Sequence, residues 1–291
     1  MALVGTRLYV ALDARSATVA AVAGGIAGRR LRAFARVPLA AGAIVPSASA
    51  TNIPQPDAAR EAIRSAVDGV GWRGRATLVL PGGLTRLALL SLPAGARARD
   101  FVQFRLAPTL PWPAGESIVD VLRLARGRVI GAAVRRAAVA EHEQALRAAG
   151  LEVDRVHLAP LLAAQGLARS GPRDVVHAVL DDTSVCLLAL RDGAIAALRS
   201  RRRDASPGEA ERLVAEAART AQLAANGRTR ELPVAFSGAD AILLRREAQA
   251  SGSAGERTAG VLAAGHDGAF GAAIDRWSGA AEAAWLGGVL R

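Results

Sequence analysis

The chain has 291 residues, enough for about two domains and a sizeable core. Hydrophobic residues make up 51% but aromatics only 3%, so Ala, Val and Leu must do the packing. All 37 basic residues are arginine against 26 acids, a net charge of +11. Without lysine, the chemistry of P-loop, Schiff-base and kinase-type lysines is excluded. The single cysteine, Cys186, excludes an internal disulfide framework and any multi-cysteine metal site. Within the apolar run Val185–Leu190 it reads as a small buried hydrophobe.

The N-terminus meets charge too soon for a signal-peptide core. The longest uncharged stretch, Val37–Pro56, holds Pro38, Pro46, Pro54 and Pro56 and reads as a loop, not a membrane span. A cytoplasmic protein is expected. Arginines are spread along the chain and often alternate with apolar residues, as on the solvent face of a strand. Only Arg199–Arg203 forms a compact cluster. With so few aromatics to stack on bases, nucleic acid is not expected as a partner. An anionic lipid surface suits the charge better.

In chain order, Leu8–Leu12, Thr18–Ala23 and Arg30–Val37 read as strands separated by Asp13–Ala17 and Gly24-Gly25. Asp57 is placed to cap a helix whose apolar face is Ala59, Ile63, Ala66, Val67 and Val70. Ala76–Leu80 follows as a short strand. Arg86–Leu92, Ser117–Leu124 and Arg128–Val134 are further strands, with helices at Ala98–Leu106 and Ala137–Ala149. Val153–Leu158 and Pro160–Ser170 lead back to the main body.

The opening grammar then returns. Val175–Leu180 ends in Asp181-Asp182, Val185–Leu190 and Ala194–Arg199 flank the Asp192-Gly193 hairpin turn, a helix spans Glu209–Ala225 and Pro233–Ser237 closes the unit. The two copies begin about 167 residues apart, which makes this a duplicated α/β half and not a short solenoid repeat. Two halves of this kind are expected to flank a cleft.

The expected division is a first half over 1–80, an inserted α+β subdomain over 81–150, a return over 151–172, a second half over 173–275 and a C-terminal helix over 276–291.

A duplicated half whose first hairpin carries an Asp resembles the actin/hexokinase ATPase fold, of the ribonuclease H-like class, with an insertion like that of FtsA. The chain more specifically resembles PilM, the actin-like protein of type IV pilus assembly, and the cytoplasmic part of GspL from type II secretion. LYVALDARSATVAAV is similar to the family's Asp-x-Gly-Ser-Ser-Ser-Val-Lys hairpin. LSLPAGARARDFVQFRLAPTLPWPAGESIVDV and GAAVRRAAVAEHEQALRAAGLEVDRVHLAP are similar to the stretches running through the insertion and out of it. VVHAVLDDTSVCLLALRDGAIAALRSRRR occupies the second hairpin, and AWLGGVLR resembles the family's ending. A GspL-like chain would continue into a membrane helix, so the end at Arg291 favours a free-standing PilM-like protein.

The resemblance implies ATP and Mg²⁺, with Asp13 and Asp181 toward the metal, Arg15, Ser16, Thr18 and Thr183 in the phosphate hairpins, and Ser237 and Gly238 in the adenosine motif. Phosphate hairpins need glycine so that backbone N–H groups can approach the ligand. Here Arg15, Thr183 and Ala239 stand where the family has Gly, and Ala20 where it has Lys. Arg15 either reaches a phosphate through its guanidinium or points to solvent at a hairpin tip. The three lost glycines predict a pseudo-ATPase whose nucleotide site is weak or lost.

Histidines 142, 157, 177 and 266 show no metal spacing. His157 and His177 read as ordinary sheet residues, and Glu141, His142 and Glu143 as a solvated helix face. No nucleophile-elbow pattern is present.

Leu87, Leu89, Leu92, Phe101, Phe104 and Trp112 concentrate bulk in the insertion. They either make its own core or, for Leu87, Leu89, Phe101, Phe104 and Trp112, line a groove. The PilM resemblance implies such a groove, which receives the short cytoplasmic N-terminus of an inner-membrane PilN-like partner. The expected function is thus a non-catalytic scaffold at the inner membrane. A true ATPase or phosphotransferase on the same fold and an FtsA-like filament protein are the alternatives. The absence of a basic amphipathic face in WSGAAEAAWLGGVLR counts against the filament.

Overall fold

The computed structural model describes residues 5–25, 28–170, 173–203, 206, 208–225, 232–238 and 289. The chain divides into two compact units, Met1–Ala159 with Val289–Arg291, and Pro160–Gly288. The readings at His266, at Ala239 and over most of 276–291 lie outside the described residues.

In the first unit, β1 (Thr6–Leu12), β2 (Ser16–Gly25) and β3 (Gly28–Pro38) form an antiparallel meander. Helix α1 (Pro56–Val70) then crosses back so that β4 (Arg75–Leu80) runs parallel to β1. A later strand, β8 (Glu152–Leu158), pairs parallel with β4, giving the order β3-β2-β1-β4-β8. Val, Leu and Ala at alternate positions supply one face: Leu8, Val10 and Leu12 of β1 and Leu78 and Leu80 of β4 pack against Ile63, Ala66 and Val67 of α1. The crossover begins with Pro56, whose fixed φ suits the first helical turn, and Gln55 precedes it. Asp57, expected as the cap, instead sits inside that first turn and pairs with Arg60 at 3.0 Å. Gly71 ends the helix at φ 71°, its N–H donating to the carbonyls of Val67 and Asp68.

Between β4 and β8 lies the insertion. Strands β5 (Thr85–Ser91), β6 (Ser117–Arg123) and β7 (Arg128–Arg135) form an antiparallel sheet in the order β5-β7-β6. Helix α2 (Ala98–Leu106) covers one face, where Val102 and Leu106 meet Val119, Val129, Ala133 and Trp112. Helix α3 (Arg136–Ala148) leaves β7 directly, and its Val139, Ala145 and Leu146 belong to the first-unit core. The loop from β3 to α1 joins both cores: Ile44 and Ile53 enter the first-unit core, Ala48 that of the insertion. Asn52, fully buried, fixes this loop by donating its N–H to Glu141 Oε2 and accepting that of Ser47.

The second unit opens with α4 (Ala159–Ser170). Strands β9 (Val175–Leu180), β10 (Ser184–Arg191) and β11 (Ala194–Arg202) form a meander. Helix α5 (Glu209–Ala225) and β12 (Val234–Gly238), parallel to β9, complete it. The order β11-β10-β9-β12 repeats β3-β2-β1-β4 strand for strand. The duplication read from the sequence is therefore a duplication of topology. Asp192 (φ 51°) and Gly193 (φ 77°) make the β10–β11 turn, both in the left-handed region that a tight hairpin demands. The arginine cluster is partly spent on this unit. Arg201 Nε donates to Glu216 Oε2 at 2.9 Å and Arg203 Nη2 to Glu209 Oε2 at 3.2 Å, tying β11 and the residue after it to α5.

Candidate functional site

The two Asp-bearing turns have the same internal geometry. In the first, Asp13 Oδ1 accepts the backbone N–H groups of Arg15 and Ser16, each at 2.7 Å. The Ser16 hydroxyl lies 3.1 Å from Oδ2, and the Asp13 N–H donates to the Ser16 carbonyl at 3.1 Å. In the second, Asp181 Oδ1 accepts the N–H groups of Thr183 (2.8 Å) and Ser184 (2.6 Å). The Ser184 hydroxyl lies 2.7 Å from Oδ2, and the Asp181 N–H donates to the Ser184 carbonyl at 3.0 Å. Asp and Ser favour such local bonds because their short side chains reach the backbone two or three residues on.

The third strand of each meander closes on the turn. The Leu39 N–H donates to the Arg15 carbonyl at 2.7 Å, and the Arg203 N–H to the Thr183 carbonyl at 2.8 Å. Arg36 Nε adds a bond to Ser16 Oγ at 3.0 Å. Asp13, Ser16 and Thr18 are buried, whereas Arg15 is exposed at the tip.

These turns bear directly on the implied nucleotide. A phosphate cradle aims its backbone N–H groups at the ligand. The N–H groups of Arg15, Ser16, Thr183 and Ser184 are aimed at the carboxylates of their own turns. A phosphate would have to displace an anion already held by several charge-assisted bonds. As they stand, the turn residues do not fit the group. Among the described residues, no three His, Cys, Asp or Glu side chains gather as a metal site.

The residues assigned to adenosine have structural duties. Gly238 holds φ 96°, and a Cβ on it would stand 1.9 Å from the Leu180 carbonyl oxygen, so close approach to β9 already requires glycine. Ser237 Oγ lies 2.7 Å from Nε2 of His177, which is buried on β9. Burial pushes the His177 imidazole down to about 3. Cys186, on β10, is likewise buried, and burial with the nearby Asp181 charge pushes its thiol up to about 12.

The insertion divides the proposed groove residues. Trp112 is buried in the core under α2, its indole N–H donating to Ser117 Oγ at 2.8 Å. Phe104 of α2 is 75% exposed, and Phe101 is half-buried. Leu87 and Leu89 are half-buried on the sheet face away from α2, beside Ala132 and Ile130. Leu87 and Leu89 thus share no face with Phe101 and Phe104. Ile118 and Leu122 of β6, beside Val134 and Ile130, extend the Leu87 face. In the sequence they lie in the run Ile118–Leu122, apolar except at Asp120, which has no period-2 alternation to assign them to a face.

His157, on β8, has its pKa lowered by burial and then by Arg155, Arg29 and Arg7. The solvated reading of His142 is overturned: it is fully buried on α3, its Nδ1 donating to the Ala138 carbonyl at 2.8 Å. Burial lowers its pKa.

No family model and no curated protein sequence matches the chain. Its fold does match solved structures. It matches a Bacteroides thetaiotaomicron protein with an actin-like ATPase fold, with a TM-score of 0.53 at 8% identity, over 84% of this chain and 87% of that one. The chain therefore has the actin-like ATPase fold. Within that class it superposes on a chain of the PilM–PilN type IV pilus biogenesis complex with a TM-score of 0.68, at 19% identity over 84% of each chain. It also superposes on the cytoplasmic domain of EpsL, an inner-membrane component of the Vibrio cholerae type II secretion system. There the TM-score is 0.51 at 16% identity, over 80% of this chain and 82% of that one. Among the described residues, no helix is long and apolar enough to cross a membrane.

Proposed function

We propose that the chain is a non-catalytic, actin-like scaffold of a type IV pilus or type II secretion-like machine. It acts at the cytoplasmic face of the inner membrane and binds the short cytoplasmic peptide of a PilN-like partner. Exposed arginines add weak attraction to anionic headgroups. The observation that carries the non-catalytic part is the matched pair of turns, in which Asp13 and Asp181 hold the donors a phosphate would need. Support for the machine comes from the likeness to PilM and EpsL, which is a likeness of fold.

The peptide surface is the insertion face bearing Leu87 and Leu89, with Ile118 and Leu122 at its far side. An extended peptide can fill pockets on such a face.

Two titrations test the reading. Mg-ATP added to the purified protein should give no heat up to millimolar concentration. Binding tighter than about 100 μM (roughly −5.5 kcal/mol) that is lost in Asp13→Ala would overturn the non-catalytic part. A synthetic peptide of the N-terminal cytoplasmic residues of the same organism's PilN-type protein should bind and lose affinity at least tenfold in Leu87→Asp. Unchanged binding in that variant would remove the peptide from this face.

A further inference from the structure

The outer edge of β6 combines three features, of which the scaffold reading uses only the side chains of Ile118 and Leu122. The first is its backbone. The Leu124 N–H, one residue past β6, donates across the hairpin to the Arg128 carbonyl at 2.8 Å, so even-numbered residues bond toward β7. The Val121 N–H instead meets Asp120 Oδ1 at 2.8 Å, a side chain of its own strand. The N–H and C=O groups of Val119, Val121 and Arg123 therefore point off the sheet, where a further strand would add.

The second feature is side-chain exposure. Ile118 is 39% and Leu122 37% exposed. They lie on one face, about 13 Å apart along the strand by its ordinary rise. Apolar residues at this spacing on an open edge suit a strand with apolar groups at alternate positions.

The third feature is charge. Residues 85–135 contain eight arginines and three acids, a net 8 − 3 = +5. Glu116 is engaged by Arg135 at 3.3 Å, and Asp120 by the Val121 N–H with Arg99 at 4.0 Å. Among the described residues, no acidic side chain pairs with Arg123 or Arg126. A second copy would bring +5 against +5, whereas an acidic segment relieves both arginines.

We propose that the outer edge of β6 docks an extended peptide strand with alternating apolar side chains and a carboxylate where it passes Arg123 and Arg126. Asp120 acts as a guard, occupying the Val121 N–H until a strand displaces it. This deepens the scaffold reading and rests on it for the shared face: Leu87 and Leu89 lie on β5 at the opposite edge of the sheet, whereas the open backbone is that of β6.

The test uses the full chain and a fluorescein-labelled Glu-Val-Glu-Val-Glu-Val-Glu peptide, followed by anisotropy, with a Lys-Val counterpart as control. The acidic peptide should bind at least tenfold tighter than the basic one. Val121→Pro removes an outward N–H without touching the β7 ladder, a position where an edge strand tolerates proline. It should weaken binding at least tenfold, and Asp120→Ala should strengthen it. Should Val121→Pro not fold, the double change Arg123→Glu, Arg126→Glu serves instead and should reverse the preference to the Lys-Val peptide. Leu87→Asp should weaken the acidic peptide far less than Val121→Pro does, which separates the β6 edge from the β5 side.

Equal affinity for both peptides, or a preference that survives the double charge reversal, would overturn the proposal. So would binding lost in Leu87→Asp and kept in Val121→Pro, which moves the peptide to the β5 side. Self-association that Val121→Pro abolishes would assign the edge to a second copy and overturn it as well.

Discussion

Asp13 and Asp181, 168 positions apart, are structural equivalents: each accepts the backbone N–H groups of the residues two and three positions on and bonds the serine hydroxyl at the third. Each carboxylate is directed inward, at its own turn. Neither Arg15 nor Thr183 takes a positive φ in these turns, so the bonds form without glycine at either position.

Removing either carboxylate should therefore cost stability. Asp13→Ala and Asp181→Ala each leave two N–H groups without their acceptor, and each should lower unfolding free energy by about 2 kcal/mol in urea titration. Asn keeps one oxygen acceptor and should recover part of the loss. A variant that loses nothing in stability would show that the bonds are incidental to the fold.

The strand framework was readable because each strand has a pattern of its own. β9, apolar except at His177, and most of β10 are buried on both faces, and Asp192-Gly193 supplies the two positive φ values of a tight turn. The faces of the insertion were harder. Leu87 and Leu89 stand beside Phe101 and Phe104 in a list of bulky residues, yet α2 covers the face of Ala88 and Leu90 and turns the other leucines away. His142 looked solvated between two glutamates because a helix buries single positions at 3.6-residue spacing, and its neighbours on the helix face, Ala138 and Ala145, are too small to announce a core. Gly238 was legible as a special glycine but not for its reason, because the approach of Leu180 comes from a distant strand.

Acid should destabilise the second unit through His177. Its ordinary pKa of 6.5 falls to about 3 on folding, so the unfolded chain binds the proton first. Stability is complete above the unfolded value and is lost as pH falls from 6.5 toward 3. By pH 4.5 the loss from this group is roughly 2–3 kcal/mol. Urea midpoints measured at pH 7 and pH 4.5 should fall further in the wild type than in His177→Gln. Equal shifts in both proteins would show that His177 does not titrate with unfolding.

Cys186 should report opening of the same sheet. A thiol at about 12 holds roughly three orders of magnitude less thiolate at pH 8 than a free cysteine, and burial blocks access besides. Ellman's reagent should label the native chain at least a thousandfold more slowly than the urea-unfolded chain. Rapid labelling of native protein would mean that β10 opens to solvent without global unfolding.

The insertion rests on one close approach between a strand and a helix. A Cβ at Gly131 of β7 would stand 2.4 Å from Val102 Cγ1, with the other methyl at 3.1 Å and Val102 Cβ at 3.3 Å. Val102 is fully buried in the core under α2 and lacks room to retreat. Gly131→Ala should therefore destabilise by about 1–3 kcal/mol, the ordinary cost of overpacking. Val102→Ala alone should also destabilise, by about 1–3 kcal/mol, through lost packing. Combined, the two changes exchange volume across the same contact, so the double variant should be more stable than the sum of the single losses predicts. Simple additivity in urea unfolding would mean that α2 shifts away from β7 to accept the methyl, and that glycine is not needed at the contact.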